Sequence, residues 1–211
     1  MGGFQGFLGW YMVKSGLVDN PDVSHFRLSA HLTTAFLTFA YTFWVALDLK
    51  FPCRKTVNTS FRNFIRLGLV VLLLQIIYGA FVAGLDAGFI HNHWPLMNEG
   101  KFMHKTVYIE QNPLYKNFIE GKSGGVQFVH RMLAYLVAFL LVSIWYKARK
   151  METTKMQNYA VTGLLIMVGV QFLLGVLTLI FHVPVWLGVA HQVGAFFLLS
   201  ITTFTLHRFS K

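Results

Sequence analysis

Acidic residues are scarce in this chain: eight Asp and Glu among 211 residues, against 18 Lys and Arg. Charged residues of both signs make up only 12%, about half the share of an ordinary soluble domain. A water-soluble enzyme of this length would need more polar surface. The one cysteine, Cys53, excludes an internal disulfide and any cysteine-built zinc or iron–sulfur site within these residues. Five prolines and a 55% hydrophobic content exclude collagen-like and disordered classes. No Walker loop, dinucleotide fingerprint, zinc-protease motif or serine elbow occurs. No basic leader followed by a small-residue cleavage site opens the chain.

What is present is apolar sequence in long runs. A membrane-spanning helix needs about 20 mostly apolar residues. Five segments qualify: 26–49, 63–85, 127–146, 159–181 and 184–206. A sixth runs from Met1 to about Val18. It is short, with Lys14 in its last turn, and reads as the outer end of a spanning helix whose beginning is absent. The expected fold is all-α, a polytopic membrane bundle. The net charge of +10 is unevenly placed. Lys50, Arg54, Lys55, Arg62 and Arg66 fall between the second and third segments, Lys147, Arg149, Lys150 and Lys155 between the fourth and fifth, and Arg208 and Lys211 at the end. These regions hold 11 of the 18 cations, with Asp48 and Glu152 as their only acids. The positive-inside rule makes that side, and the C-terminus, cytoplasmic. The charge therefore marks topology rather than nucleic-acid binding. The long segment 86–126 lies on the opposite, outer side, where a loop of that length covers or binds something.

A weak repeat runs through the chain. Gln5-Gly6-Phe7-Leu8-Gly9 precedes a helix carrying Ala30-His31-Leu32, and Gln171-Phe172-Leu173-Leu174-Gly175 precedes one carrying Ala190-His191-Gln192. Three histidines, His31, His130 and His191, lie inside apolar helices near their outer ends. Ionisable groups there are costly and are functional candidates. His130 and His191 sit at similar depth, and two imidazoles facing each other across a bundle can hold a haem iron from both sides. His31, matching His191, would be half of a second pair. The competing reading is helix-to-helix hydrogen bonding. Arg131 and Arg27 lie near the outer interface, where a guanidinium pairs with a carboxylate such as a haem propionate or snorkels to headgroups. His25, His91, His93, His104 and His182 read as solvated or interfacial, His207 as an anchor at the inner end, and the helix glycines as packing sites.

Several blocks resemble the haem A synthase family of cytochrome oxidase assembly proteins. They are Gln5 through Leu17, Arg27-Leu28-Ser29-Ala30-His31-Leu32, Gly79 through Gly88, Trp94-Pro95-Leu96-Met97, Val126-Gln127-Phe128-Val129-His130-Arg131 and Ala190-His191-Gln192. The resemblance implies an eight-helix protein of two related four-helix halves, of which this chain would hold six helices. Residues 1–50 would be the remainder of the N-terminal half and 51–211 the C-terminal half. It implies oxidation of the C8 methyl of haem O, the substrate, to a formyl group, giving haem A. It implies a haem b between His130 and His191, and His31 on the substrate-haem side. The partner histidine and catalytic Glu of that side belong to a Glu-x-x-His-Arg motif that these residues do not contain. The alternative is a non-catalytic bis-His haem b protein for electron transfer or haem handling. Expected surroundings are a bacterial inner membrane, or alternatively a mitochondrial one. Candidate partners are haem O synthase, cytochrome oxidase assembly factors or a second copy of the chain, with membrane lipid around it and no nucleic acid.

Overall fold

The computed structural model describes residues 2–14, 23–51, 59–121 and 124–210. The expectations placed on Cys53, Arg54, Lys55, Lys211 and residues 15–18 lie outside them. Six α-helices follow in order: α1 (Gly2–Val13), α2 (His25–Lys50), α3 (Thr59–Gly84), α4 (Gly124–Ala148), α5 (Lys155–Ile180) and α6 (Val185–Arg208). No strand occurs among the described residues. α2 to α6 are each long and apolar enough to cross a membrane; α1, at 12 residues, is not among those five. The helices overrun the apolar segments at most ends. α3 begins at Thr59, so Arg62 and Arg66 are helical rather than in a loop, and α4 and α5 take in Lys147 and Lys155. Hydropathy marks the membrane core, while the helix continues through basic residues that reach the headgroups.

Four helices close a ring, with α3 on α4, α4 on α5, α5 on α6 and α6 back on α3. α2 packs against α3 and α6, and α1 against α2. Polar and apolar residues are distributed opposite to those of a water-soluble bundle. Phe139, Ile166, Leu173 and Phe197 point outward from mid-helix, while Gln127, Gln157, Thr202, Thr203 and Thr205 are buried. Lipid is as apolar as leucine, so the interior gains from packing and hydrogen bonds rather than from excluding tails. The hydroxyls of Thr178, Ser200, Thr202 and Thr205 each donate to the carbonyl four residues earlier, which satisfies them without water.

The basic end of the bundle is tied by polar contacts. Thr154 and Gln157 form a capping box at the start of α5, and the Gln157 amide also donates to the Arg208 carbonyl at 2.9 Å. His207 is fully buried there. Its Nε2 lies 3.1 Å from Asp48 Oδ1, and its ring meets Trp44 edge-on at 5.1 Å. Rather than anchoring at the interface, His207 joins α6 to α2 inside the bundle.

Two glycines set helix spacing differently. A Cβ on Gly84 would lie 2.8 Å from the Cα of His25, where α2 begins. A Cβ on Gly68 would meet only side-chain ends, Ile144 Cδ1 at 3.1 Å and Leu141 Cδ2 at 3.2 Å. Gly84→Ala is expected to destabilise the protein by about 1–3 kcal/mol, because backbone must move. Gly68→Ala should be near neutral, since the side chains yield and Ala favours helix. Thermal unfolding in detergent checks the contrast.

Candidate functional site

The three intramembrane histidines share one local architecture. A glutamine on the preceding helix of each packed pair reaches across to the ring, and a glycine one turn later leaves room for it. Positions i and i+4 lie on one helix face, which the glutamine–glycine spacing requires. The Gln5 amide nitrogen on α1 lies 3.1 Å from His31 Nδ1 and 2.9 Å from the His31 carbonyl on α2. The Gln171 amide nitrogen on α5 lies 3.2 Å from His191 Nδ1 and 3.0 Å from the His191 carbonyl on α6. The two sequence repeats thus make the same contacts. A Cβ on Gly9 would come within 3.2 Å of His31 Cε1, and one on Gly175 within 3.0 Å of His191 Cε1.

A third copy frames His130. Gln75 on α3 approaches His130 Nε2 on α4 at 3.3 Å, and a Cβ on Gly79 would lie 3.3 Å from His130 Cε1. Comparing only the first and last helix pairs misses Gln75, although Gln75-x-x-x-Gly79 has the same spacing. Gly9, Gly79 and Gly175 therefore accommodate imidazoles rather than simply bringing backbones together.

His130 and His191 lie close enough to interact electrostatically, on diagonally opposite helices of the four-helix ring. Each has one ring nitrogen without a protein partner. His130 Nδ1 is buried and unbonded, and His191 Nε2 makes no hydrogen bond. Among the described residues no group of three or more His, Cys, Asp or Glu could cage an ion. Two imidazole nitrogens without protein partners fit an iron whose remaining ligands come from a macrocycle. His31 has the same glutamine and glycine cradle between α1 and α2.

Segment 85–121 lies over this end of the bundle and is pinned from below. Arg131, next to His130, donates through Nη2 to the carbonyls of His93 and Leu96. It is buried under the loop and does not snorkel; its Nη1 is buried without a partner. Gln127, one turn earlier, donates to the His91 carbonyl at 3.0 Å. Asn92 bridges the carbonyls of Gly88 and Leu179, both at 3.0 Å, which ties the loop to the end of α5. Trp94 meets Phe172, the residue after Gln171, at 6.3 Å between ring centroids. Buried Asn117 organises the rest of the loop by bonding both backbone groups of Ile109. α4 starts at Gly124, earlier than the apolar run suggests, because glycine lets loop backbone close on it. A Cβ on Gly125 would meet the carbonyls of Asn117 and Val107. Arg27, the other outer arginine, instead donates to the Tyr11 carbonyl at 3.0 Å and stacks on the Tyr11 ring at 3.9 Å.

Of the histidines read as solvated or interfacial, His93 and His182 are exposed, whereas two are not solvated. His91 and His104 are buried, and both approach Thr106 Oγ1, at 2.8 and 3.1 Å. His93 turns instead to Asn98, so His91 and His93 do not converge on one ion. Glu99 lies 3.5 Å from His104 and 3.2 Å from Lys101, and these neighbours hold its carboxyl below the usual range. Burial pushes His91 below the usual imidazole value, with the charges of His104 and Arg131 adding to it and Asn98 and Glu99 opposing.

A polytopic helical membrane protein with glutamine-held histidines converging beneath a pinned loop is the class that this fold and site define. The chain belongs to the cytochrome oxidase assembly protein family, whose profile matches residues 1–203. It is 60% identical over 211 residues to the heme A synthase of Flavobacterium psychrophilum, and 60% identical over 213 residues to that of Flavobacterium johnsoniae. It is 41% identical over 215 residues to the heme A synthase of Nitrosospira multiformis. Each match covers 100% of this chain, and 62%, 62% and 60% of the respective relative.

The His91 environment gives a pH dependence. A base whose folded-state affinity for protons is lowered contributes stability that is present above its unfolded value and lost as pH falls below it. The loop should therefore loosen progressively below about pH 6.5, the ordinary imidazole value. Amide exchange of residues 85–121 at pH 7.5 and pH 5.5 checks this, and His91→Gln should flatten the difference.

Proposed function

We propose that the chain is the haem-b-holding portion of an enzyme that converts haem O to haem A by successive hydroxylation of the C8 methyl, for cytochrome oxidase assembly. The observation that carries this reading is the convergence of Gln75-held His130 and Gln171-held His191 beneath the pinned loop. The identity to heme A synthases supports it. His130 and His191 would hold the haem iron, and the bound group would supply a one-electron redox centre. Gly79 and Gly175 keep the two rings in place from behind. Arg131 holds the loop that keeps water from this end, and its unpartnered Nη1 suits a propionate oxygen. His31, cradled by Gln5 and Gly9, would face the substrate haem O.

The protein lies in a bacterial inner membrane with its C-terminus cytoplasmic, as the basic end of the bundle supports. Haem O synthase or an oxidase assembly factor is the partner class that this reading calls for.

A second reading is a non-catalytic bis-His haem b carrier. It draws on the single histidine cradle in α1–α2 against two in α3–α6. Expression of the full-length protein that contains these residues, in cells that make haem O but no haem A, separates them by pigment extraction. Haem A or a hydroxylated intermediate is expected of the enzyme, and a low-spin bis-His spectrum with unchanged haem O of the carrier. Under both readings, His130→Ala and His191→Ala should each lower bound haem by at least about tenfold, since a side chain that holds the iron is lost. Full retention of haem in either variant removes that histidine from the ligand set.

A further inference from the structure

The glutamines do more than bond helix to helix. Gln171 holds two atoms of one residue at once, the Nδ1 and the carbonyl of His191. Only an amide N–H can donate to a carbonyl, so the same –NH2 group faces Nδ1. In this arrangement Nδ1 accepts, and the ring's proton sits on Nε2. A ring that gives its Nε2 lone pair to a metal must carry the proton on Nδ1 instead, and that N–H needs an acceptor. The Oε1 of Gln171 is buried without a partner, and so are those of Gln5 and Gln75. For Gln171 the reason is visible. Gly194, one turn beyond His191 on α6, leaves the space that Oε1 occupies, and a Cβ there would collide with it.

We propose that Gln171 is a positioning residue for His191, fixing the rotation of its ring and, by turning its amide from N–H to Oε1, the nitrogen that keeps the proton. Gln5 stands in the same relation to His31, and Gln75 holds His130 through the other ring nitrogen. The exchange moves the proton from Nε2 to Nδ1 of one neutral imidazole, and none is gained or lost. The His191 carbonyl gives up its bond to the side chain but lies inside α6, where the amide four residues on also serves it. An acceptor on Nδ1–H makes the imidazole a stronger donor through Nε2, as carboxylates and carbonyls do behind ligating histidines elsewhere. Simple helix-to-helix adhesion would require neither the double contact on one residue nor a vacant Oε1 in all three copies.

This inference rests on the reading of His191 as a haem ligand, and its test keeps the two apart. The chain purified in detergent is loaded with haem b, and midpoint potential and haem affinity are measured for the unmodified protein, Gln171→Glu, Gln171→Met and Gly194→Ala. Gln171→Glu offers a stronger acceptor and should lower the potential. Gln171→Met removes the acceptor; it should raise the potential and weaken haem binding about 10–100-fold. Gly194→Ala displaces Oε1 with the amide chemistry intact and should shift the potential in the same direction as Met. Identical potentials and affinities in all four proteins, with haem bound, overturn the proposal and leave the ligand assignment standing. No haem in the unmodified chain overturns the ligand assignment beneath it. Where Gln171→Met fails to fold, the sign of the Gln171→Glu shift decides.

Discussion

An amide on one helix holding an imidazole on the next is the contact on which the rest of this structure depends. In hydrocarbon a polar side chain without a partner is costly, so a histidine inside a spanning helix must be answered by a neighbouring helix. The answer here is the same three times. Glutamine supplies the donor, and a glycine one turn along the same face admits the ring. That pairing fixes which helices are neighbours, α1 with α2, α3 with α4 and α5 with α6. It also fixes their separation to within the reach of one side chain. The outward-facing aromatics then need only meet lipid.

The same constraint explains the loop. A backbone segment lying across the end of a membrane bundle brings carbonyls into a place where water is limited. Arg131, Gln127 and Asn92 answer those of Gly88, His91, His93, Leu96 and Leu179. These side chains rise from helix ends or from the loop itself, so the segment has one seat rather than many. Asn117 repeats the device within the loop by closing on Ile109. The buried His91–Thr106–His104 contacts belong to this polar seat, and the seat thereby becomes sensitive to acid.

The sequence makes the spans legible because 20 apolar residues have few other uses. It makes the intramembrane histidines legible because they are expensive. Helix ends are less so: Arg62, Arg66, Lys147 and Lys155 lower hydropathy without ending a helix. Gln75 escapes a repeat-based reading, since Val129 rather than an alanine precedes His130 and a lone glutamine in an apolar run carries no charge to flag it. Arg131, His91 and His104 look solvated or interfacial in sequence, yet all three are buried. Their burial depends on where residues about 35 positions away return in space, and periodicity within one helix carries no such information. His207 is a similar case, because its partner Asp48 lies 159 residues away.

Two neighbouring residues on α4 join these systems. Successive residues on a helix point about 100° apart, so His130 can face the ring interior and Gln75 while Arg131 faces the loop. Gln127, one turn earlier than Arg131, shares its loop-facing side. A rotation of this turn would move the imidazole and the loop's two supports together. The loop seat and the aim of the His130 ring are thus a single mechanical unit. The glycines at the start of the helix, with loop backbone packed against Gly125, hold that unit at a fixed height.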